Sequence, residues 1–223
     1  AGCVATAMSQ VMYYYRYPKT GTGSYGYYHP QYGYLFADFG ATEYKWNEMP
    51  DYALGPYYQL ALLQSHLGIS VDMDYSPSGS GAYSQDAAQS LKSYFGYSDE
   101  LTLILKDSYS ETAWAEIVKQ NIDAGHPLYY HGFGSGGHAF NLDGYDGDYY
   151  HFNWGWSGTA NGYYSLNNLN PSGMNFSYGQ GAIVNFYPGE GYPYYCNSVD
   201  TLTSLTGSIE DGSGPIRNYS DSV

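Results

Sequence analysis

At 223 residues, with Lys+Arg 7 against Asp+Glu 21 and a net charge of −14, the chain has no basic cluster to neutralise a phosphate backbone. This argues against nucleic acid and anionic membrane surfaces as partners, and no apolar run approaches the roughly 18 residues that membrane insertion needs. Charged residues are only 13% while Gly is 29 and Tyr 31, so polarity comes from Tyr, Ser, Asn and Gly, which suits an extracellular bacterial protein.

The length suits one principal domain. The chain opens at Ala1 with no leader of basic, apolar and small-residue regions, so its natural start is expected to be missing. From Gly2 to Tyr15, Val4, Met8, Val11, Met12 and Tyr15 recur at three and four, and Pro18 follows as a stop. This predicts a helix with a buried face and with Cys3 in its first turn. Residues 19–55 are rich in Gly, Tyr and Pro without sustained periodicity and read as loops and short extended pieces packed by aromatics. "PYYQLALLQSHLG" places Leu60, Leu63 and Leu67 at helical spacing and is expected to end at Gly68; "YSQDAAQSLKSYFG" offers Ser84 as N-cap, Asp86 in the first turn and Gly96 at the end. A third helix runs from near Ser110 through Trp114, Ile117, Val118 and Ile122 to Gly125, where His126-Pro127 stops it.

From Pro127 to about Tyr187, short Tyr/Phe-rich runs separated by glycines predict antiparallel strands, with "YDGDYY" as a hairpin. Helices first and strands afterwards imply an α+β domain whose helical half and antiparallel β-sheet or barrel half meet at a cleft. The Ser, Thr, Gly and Asp-rich residues 189–223 read as a linker and the start of another module, leaving 1–188 as the principal domain.

Cys3 and Cys196 are the two cysteines, so Cys3 is a buried small hydrophobe, half of one bridge, or a nucleophile. A thiolate attacks a carbonyl when its pKa falls from about 8.5, which a helix N-terminus and an adjacent imidazolium bring about. First-turn N–H groups also offer donors to an oxyanion. Among six histidines, His138 in "GSGGHAFNLDGYDGD" stands out, because small residues before it leave room for a substrate backbone; His126 and His131 flank the strand leading to it. His29, His66 and His151 sit among tyrosines or on a helix face and read as structural. In "NWGWSG", Asn153 or the Trp154 indole could orient the imidazole, as the third member of a triad does. Asp143, Asp146 and Asp148 do not reproduce an EF-hand loop, hairpin turns select Asp and Gly anyway, and no zinc spacing is present. No metal or cofactor is expected.

"GCVATAMSQVMYYYRYP", "MDYSPSGSGA", "HPLYYHGFGSGGHAFNLDGYDGDYYHFNWGWSG" and "GYYSLNNLNP" together resemble the streptopain family of secreted bacterial cysteine peptidases, over roughly residues 2–187 and in the right order. The resemblance implies a papain-like fold, a zymogen inhibited by its own N-terminal prosegment, protein or peptide substrates, and endopeptidase activity favouring a bulky apolar residue at P2, just before the cleaved residue. By position it implies Cys3 as nucleophile, His138 as base and then acid, and Trp154 beside the histidine with Asn153 preceding it. It also implies that Ser78, Ser80, Gly81, Gly136 and Gly137 bind substrate. The family's oxyanion-hole glutamine would fall before Ala1, and Gln10, two turns past Cys3, does not replace it; such a donor is worth on the order of 10²–10³ in rate. The glycine-rich loop after "LNP" is represented by the shorter "SGMNFSYGQGA". The tail from Cys196 resembles the opening of a CUB-type β-sandwich module, which implies a partner for Cys196 past Val223. Two readings of other kinds compete: a Cys-His amidase acting on cell-wall peptides, and a non-catalytic carbohydrate-binding module built on 31 tyrosines.

Overall fold

The computed structural model describes residues 1–51 and 55–189; the expected C-terminal module and Cys196 lie outside the described residues. Four α-helices, α1 (Cys3–Tyr15), α2 (Tyr58–Ser70), α3 (Ser84–Phe95) and α4 (Glu111–Asp123), precede the main run of strands. That run comprises β4 (Leu128–Phe133), β5 (Gly137–Asp146), β6 (Tyr149–Asn153), β7 (Gly162–Tyr164) and β8 (Tyr178–Val184). Together with β3 (Thr102–Leu105) they form one six-stranded sheet of order β3-β8-β4-β5-β6-β7, in which every pair is antiparallel. The α+β expectation therefore stands, with β3 and β7 as the sheet's edges.

Residues 24–38 fold as a hairpin of β1 (Ser24–His29) and β2 (Gly33–Asp38). Strand β3 has no counterpart in the sequence reading: "TLIL" is four residues long, too short for alternation to show. Two helix ends stand as the sequence predicts, and so does one first-turn residue. Gly96 caps α3 in the left-handed region at φ 67, Asp86 lies in its first turn, and Ser110 caps α4 by accepting from Ala113 N–H at 3.2 Å. Two need correction. Helix α2 runs past Gly68 to Ser70; the glycine is there because a β-carbon would overlap the Tyr75 hydroxyl. Ser84 is the first residue of α3 instead of its cap, and its hydroxyl hydrogen-bonds the Tyr129 hydroxyl at 2.8 Å.

The sheet is covered on both faces. On one side Tyr129, Ala139 and Ile183 join α1, α2 and α3 in a single apolar cluster. On the other, Leu128, Tyr130, Phe140, Leu142 and Phe152 pack with Trp114, Val118 and Ile122 of α4. Strand alternation sends neighbours such as Tyr129 and Tyr130 to opposite faces, and full burial of either ring stabilises by roughly 1.5–3 kcal/mol. Their hydroxyls are satisfied: Tyr130 receives Trp114 Nε1–H at 2.9 Å and donates to Gln180 at 2.6 Å. Helix α1 lies against β5, and residues at the start of the helix share a cavity with residues at the start of the strand.

Candidate active site

Cys3 opens α1. Gly2, the N-cap, has φ 90, and no side chain caps the first turn. First-turn N–H groups have no carbonyl one turn earlier to bond, so they project from the helix end beside the thiol. Cys3 is half-buried and is a free thiol among the described residues. His138 lies at the second position of β5, opposite Gly132 of β4. Cys3 and His138 line one cavity of about 760 Å³. Their separation in sequence is bridged by the packing of α1 on β5.

The imidazole is fixed by main chain. His138 Nε2 lies 2.8 Å from the Trp154 carbonyl oxygen. A carbonyl only accepts, so Nε2 carries the ring hydrogen and donates, leaving the lone pair on Nδ1. Burial lowers the imidazole pKa from its ordinary 6.5 and the carbonyl hydrogen bond raises it, burial being the larger effect. Near neutral pH the ring is therefore an uncharged base with a defined tautomer.

Neither side chain offered by the sequence makes this contact. The Asn153 amide oxygen accepts from Gly155 N–H at 3.0 Å and shapes the turn after β6. The Trp154 indole is fully buried, stacked on Phe152 at 5.4 Å. Sequence reasoning missed Trp156, whose ring stacks on His138 at 5.0 Å and 20°, with Phe176 at 5.1 Å as a second wall. The signal available was the second Trp of "WGW", brought back toward the histidine across Gly155 at φ 71.

Ser80, Gly81 and Gly137 line the cavity with Cys3 and His138. Ser78 and Gly136 are exposed and stand outside that lining. Asp74 and Gly81 exchange main-chain hydrogen bonds at 2.9 and 3.2 Å, which closes the loop and turns its end toward the cavity. Ser78 stays at the tip, 3.1 Å from the Ser76 hydroxyl. On the other side of Cys3 a smaller cavity of about 340 Å³ is lined by Thr6, Gln10, Trp154 and Trp156. Gln10 is buried, its amide oxygen accepting from Asn141 at 2.6 Å. Elsewhere His66 meets the Tyr44 hydroxyl at 3.0 Å, and His151 pairs with the buried Asp143 at 2.5 Å. Asp148 pairs with Lys119 at 3.6 Å.

The profile of the Peptidase C10 family matches residues 1–164. Streptopain of Streptococcus pyogenes is 38% identical over 198 residues, covering 82% of this chain and 49% of that protein. The thiol protease/hemagglutinin PrtT of Porphyromonas gingivalis is 36% identical over 190 residues, 81% of this chain and 22% of its own length. The chain thus spans about half the length of streptopain. Among solved structures, active wild-type interpain A cysteine protease of Prevotella intermedia superposes with a TM-score of 0.78 at 38% identity, covering 83% of each chain. A prointerpain A fragment from the same organism gives 0.74 at 38% identity, covering 83% of this chain and 63% of its own.

Proposed function

The chain belongs to the peptidase C10 family, and from that premise we propose that it is a cysteine endopeptidase of papain-like fold, with Cys3 as nucleophile and His138 as general base. The observation that carries the reading is the placement of the Cys3 thiol and a tautomerically fixed His138 on one cavity.

His138 Nδ1 takes the proton from Cys3 Sγ, and the thiolate attacks the substrate carbonyl carbon. The oxyanion that forms meets the unpartnered N–H groups at the start of α1, donors already oriented and needing no reorganisation. As the C–N bond breaks, the imidazolium returns its proton to the leaving amine and a thioester remains on Sγ. Water, deprotonated by the same nitrogen, hydrolyses the thioester and releases the acid. Throughout, the Trp154 carbonyl holds Nε2–H, so one nitrogen alone exchanges protons.

Residues 1–188 act as the catalytic domain, with Ser80, Gly81 and Gly137 contacting the substrate backbone. A bulky apolar residue at P2 has Val71, Leu103 and Tyr129 to pack on. The prosegment acts as inhibitor and the protein works outside the bacterial cell, as the streptopain resemblance implies. The test is casein hydrolysis with and without E-64, an epoxide that alkylates active-site thiols. Hydrolysis should disappear at one equivalent of E-64 with the label on Cys3; hydrolysis that survives labelling would overturn the reading, and cleavage of peptidoglycan stems in place of casein would make it an amidase.

Trp156→Ala removes the ring stacked on His138 and opens its Nε2 hydrogen bond to water. A fall in kcat of about tenfold is expected with KM within twofold, as for loss of an interaction that orients the base without binding substrate. Trp156→Phe, which keeps a stacking face, should recover most of the loss.

A further inference from the structure

Two of the contacts that fix the His138 ring come from one loop. The Trp154 carbonyl takes its Nε2–H at 2.8 Å, and the Trp156 ring stacks on it at 5.0 Å. This loop, residues 154–161, joins β6 to β7. Its backbone is unusual: Gly155, Ser157, Gly158 and Ala160 all have positive φ, at 71, 50, 81 and 64, and two of the four lack the freedom of glycine. Left-handed conformations at such residues persist where surrounding contacts over-determine them.

One of those contacts belongs to a side chain. Asn161 is half-buried, and its Oδ1 accepts from Trp154 N–H at 3.0 Å, reaching back seven residues to the start of the loop. The turn itself does not need this bond. Main-chain bonds from Thr159 N–H to the Trp156 carbonyl at 3.0 Å and from Asn161 N–H to the Gly158 carbonyl at 3.2 Å already make it. An asparagine serving its own turn bonds backbone two residues further on, not seven back. Trp154 is fully buried and follows Asn153, the last residue of β6 to pair with β5. Its N–H would therefore lose its acceptor in a dry environment if the Asn161 oxygen were removed.

The two peptide units that meet at the Trp154 α-carbon are both pinned by asparagine oxygens. Asn161 holds the N–H of the unit before, and Asn153 holds the N–H of the unit after, that of Gly155, at 3.0 Å. The direction of a carbonyl follows from the two soft dihedrals of its residue, and at Trp154 each is anchored on its far side. The oxygen that receives His138 Nε2–H is thus aimed from outside the dyad.

We propose that Asn161 is a positioning residue for His138: it acts through the Trp154 main chain, aiming the carbonyl that orients the imidazole and closing the loop that carries the Trp156 ring. The proposal rests on the reading of Cys3 and His138 as a peptidase dyad and adds to it a residue that touches neither the base nor the substrate. Small misplacements of a catalytic group lower the rate of reaction without weakening binding.

The test compares Asn161→Ala, Asn161→Leu and Asn161→Asp with a loop control, Tyr164→Phe. The Tyr164 hydroxyl donates to the Ala160 carbonyl at 2.6 Å and its ring packs edge-on against Trp154, so the phenylalanine keeps the ring and unties the loop at a point away from the Trp154 peptide units. On a fluorogenic peptide, Asn161→Ala and Asn161→Leu should lower kcat about tenfold with KM within about twofold. Asn161→Asp, which keeps an acceptor oxygen, should recover kcat to within about threefold, and Tyr164→Phe should leave it within about twofold. Proton NMR of protein labelled with ¹⁵N-histidine reads the orienting bond without turnover. The His138 Nε2–H signal, assigned by its absence in His138→Ala, should persist in Asn161→Asp and Tyr164→Phe and broaden or vanish in Asn161→Ala. A wild-type protein that cleaves no peptide yet shows this pattern would sink the peptidase reading alone. An unmoved N–H signal and kcat in folded Asn161→Ala or Asn161→Leu, no recovery in Asn161→Asp, or an equal loss in Tyr164→Phe would overturn the proposal.

Discussion

Cys3→Ala is expected to lower casein hydrolysis by at least about 10⁴-fold, leaving only what binding and the main-chain donors supply. The size follows from the step removed: without Sγ there is no thioester, and the hydrolysis must pass through direct attack of water. His138→Ala should cost nearly as much, because a neutral thiol without its base is a weak nucleophile. The combination is the sharper test. Groups acting as one unit lose almost everything with the first deletion, so the double variant should be no more than about tenfold worse than Cys3→Ala. Losses that multiply would mean that the two residues serve separate steps, and initial rates on casein with matched far-UV CD would decide it.

What made the proposed dyad legible was local. Cys3 begins a helix whose apolar spacing is regular, and His138 follows small residues at the head of an apolar strand; both signals lie within about ten residues. The orienting group was not legible, since it is a main-chain carbonyl, which every residue has, and only the fold decides which one meets the histidine. Looking for a side chain pointed to Asn153 and to the Trp154 indole, whose contacts turn out to be Gly155 N–H and the aromatic core. Trp156 escaped for a related reason: which ring of "WGW" meets His138 depends on the turn at Gly155, not on composition. The groove divides the same way. Ser80 and Gly81 reach it because Asp74 and Gly81 close their loop by main-chain bonds, a pairing no residue pattern announces. His131 and Tyr129 are two apart on β4 and so share a face, yet only the approach of α1 and α3 converts that face into a cavity wall.

Gly132, inside a Tyr/Phe-rich strand run, carries a packing constraint, and Gly132→Ala is expected to destabilise the fold by about 3 kcal/mol. Gly132 lies inside β4, opposite His138, and a β-carbon on it would overlap the Phe176 carbonyl oxygen, with the Phe176 carbonyl carbon next at 3.0 Å and its β-carbon at 3.2 Å. The obstacle is main chain, which cannot rotate aside as a flexible side chain would. The Phe176 backbone is tied in turn by its N–H to the Leu169 carbonyl at 2.8 Å, so relief requires moving the whole segment. That segment carries the ring 5.1 Å from His138, and the displacement therefore reaches the imidazole. Thermal unfolding should show a Tm lowered by roughly 6–12 °C, at 2–4 °C per kcal/mol for a domain of this size. Activity per folded molecule should fall as well, with kcat affected more than KM, because the base is misplaced and the groove floor at Tyr129 is not. A Gly132→Ala protein with wild-type Tm and kcat would show that the 176 segment yields freely and that the wall behind His138 is softer than its contacts indicate.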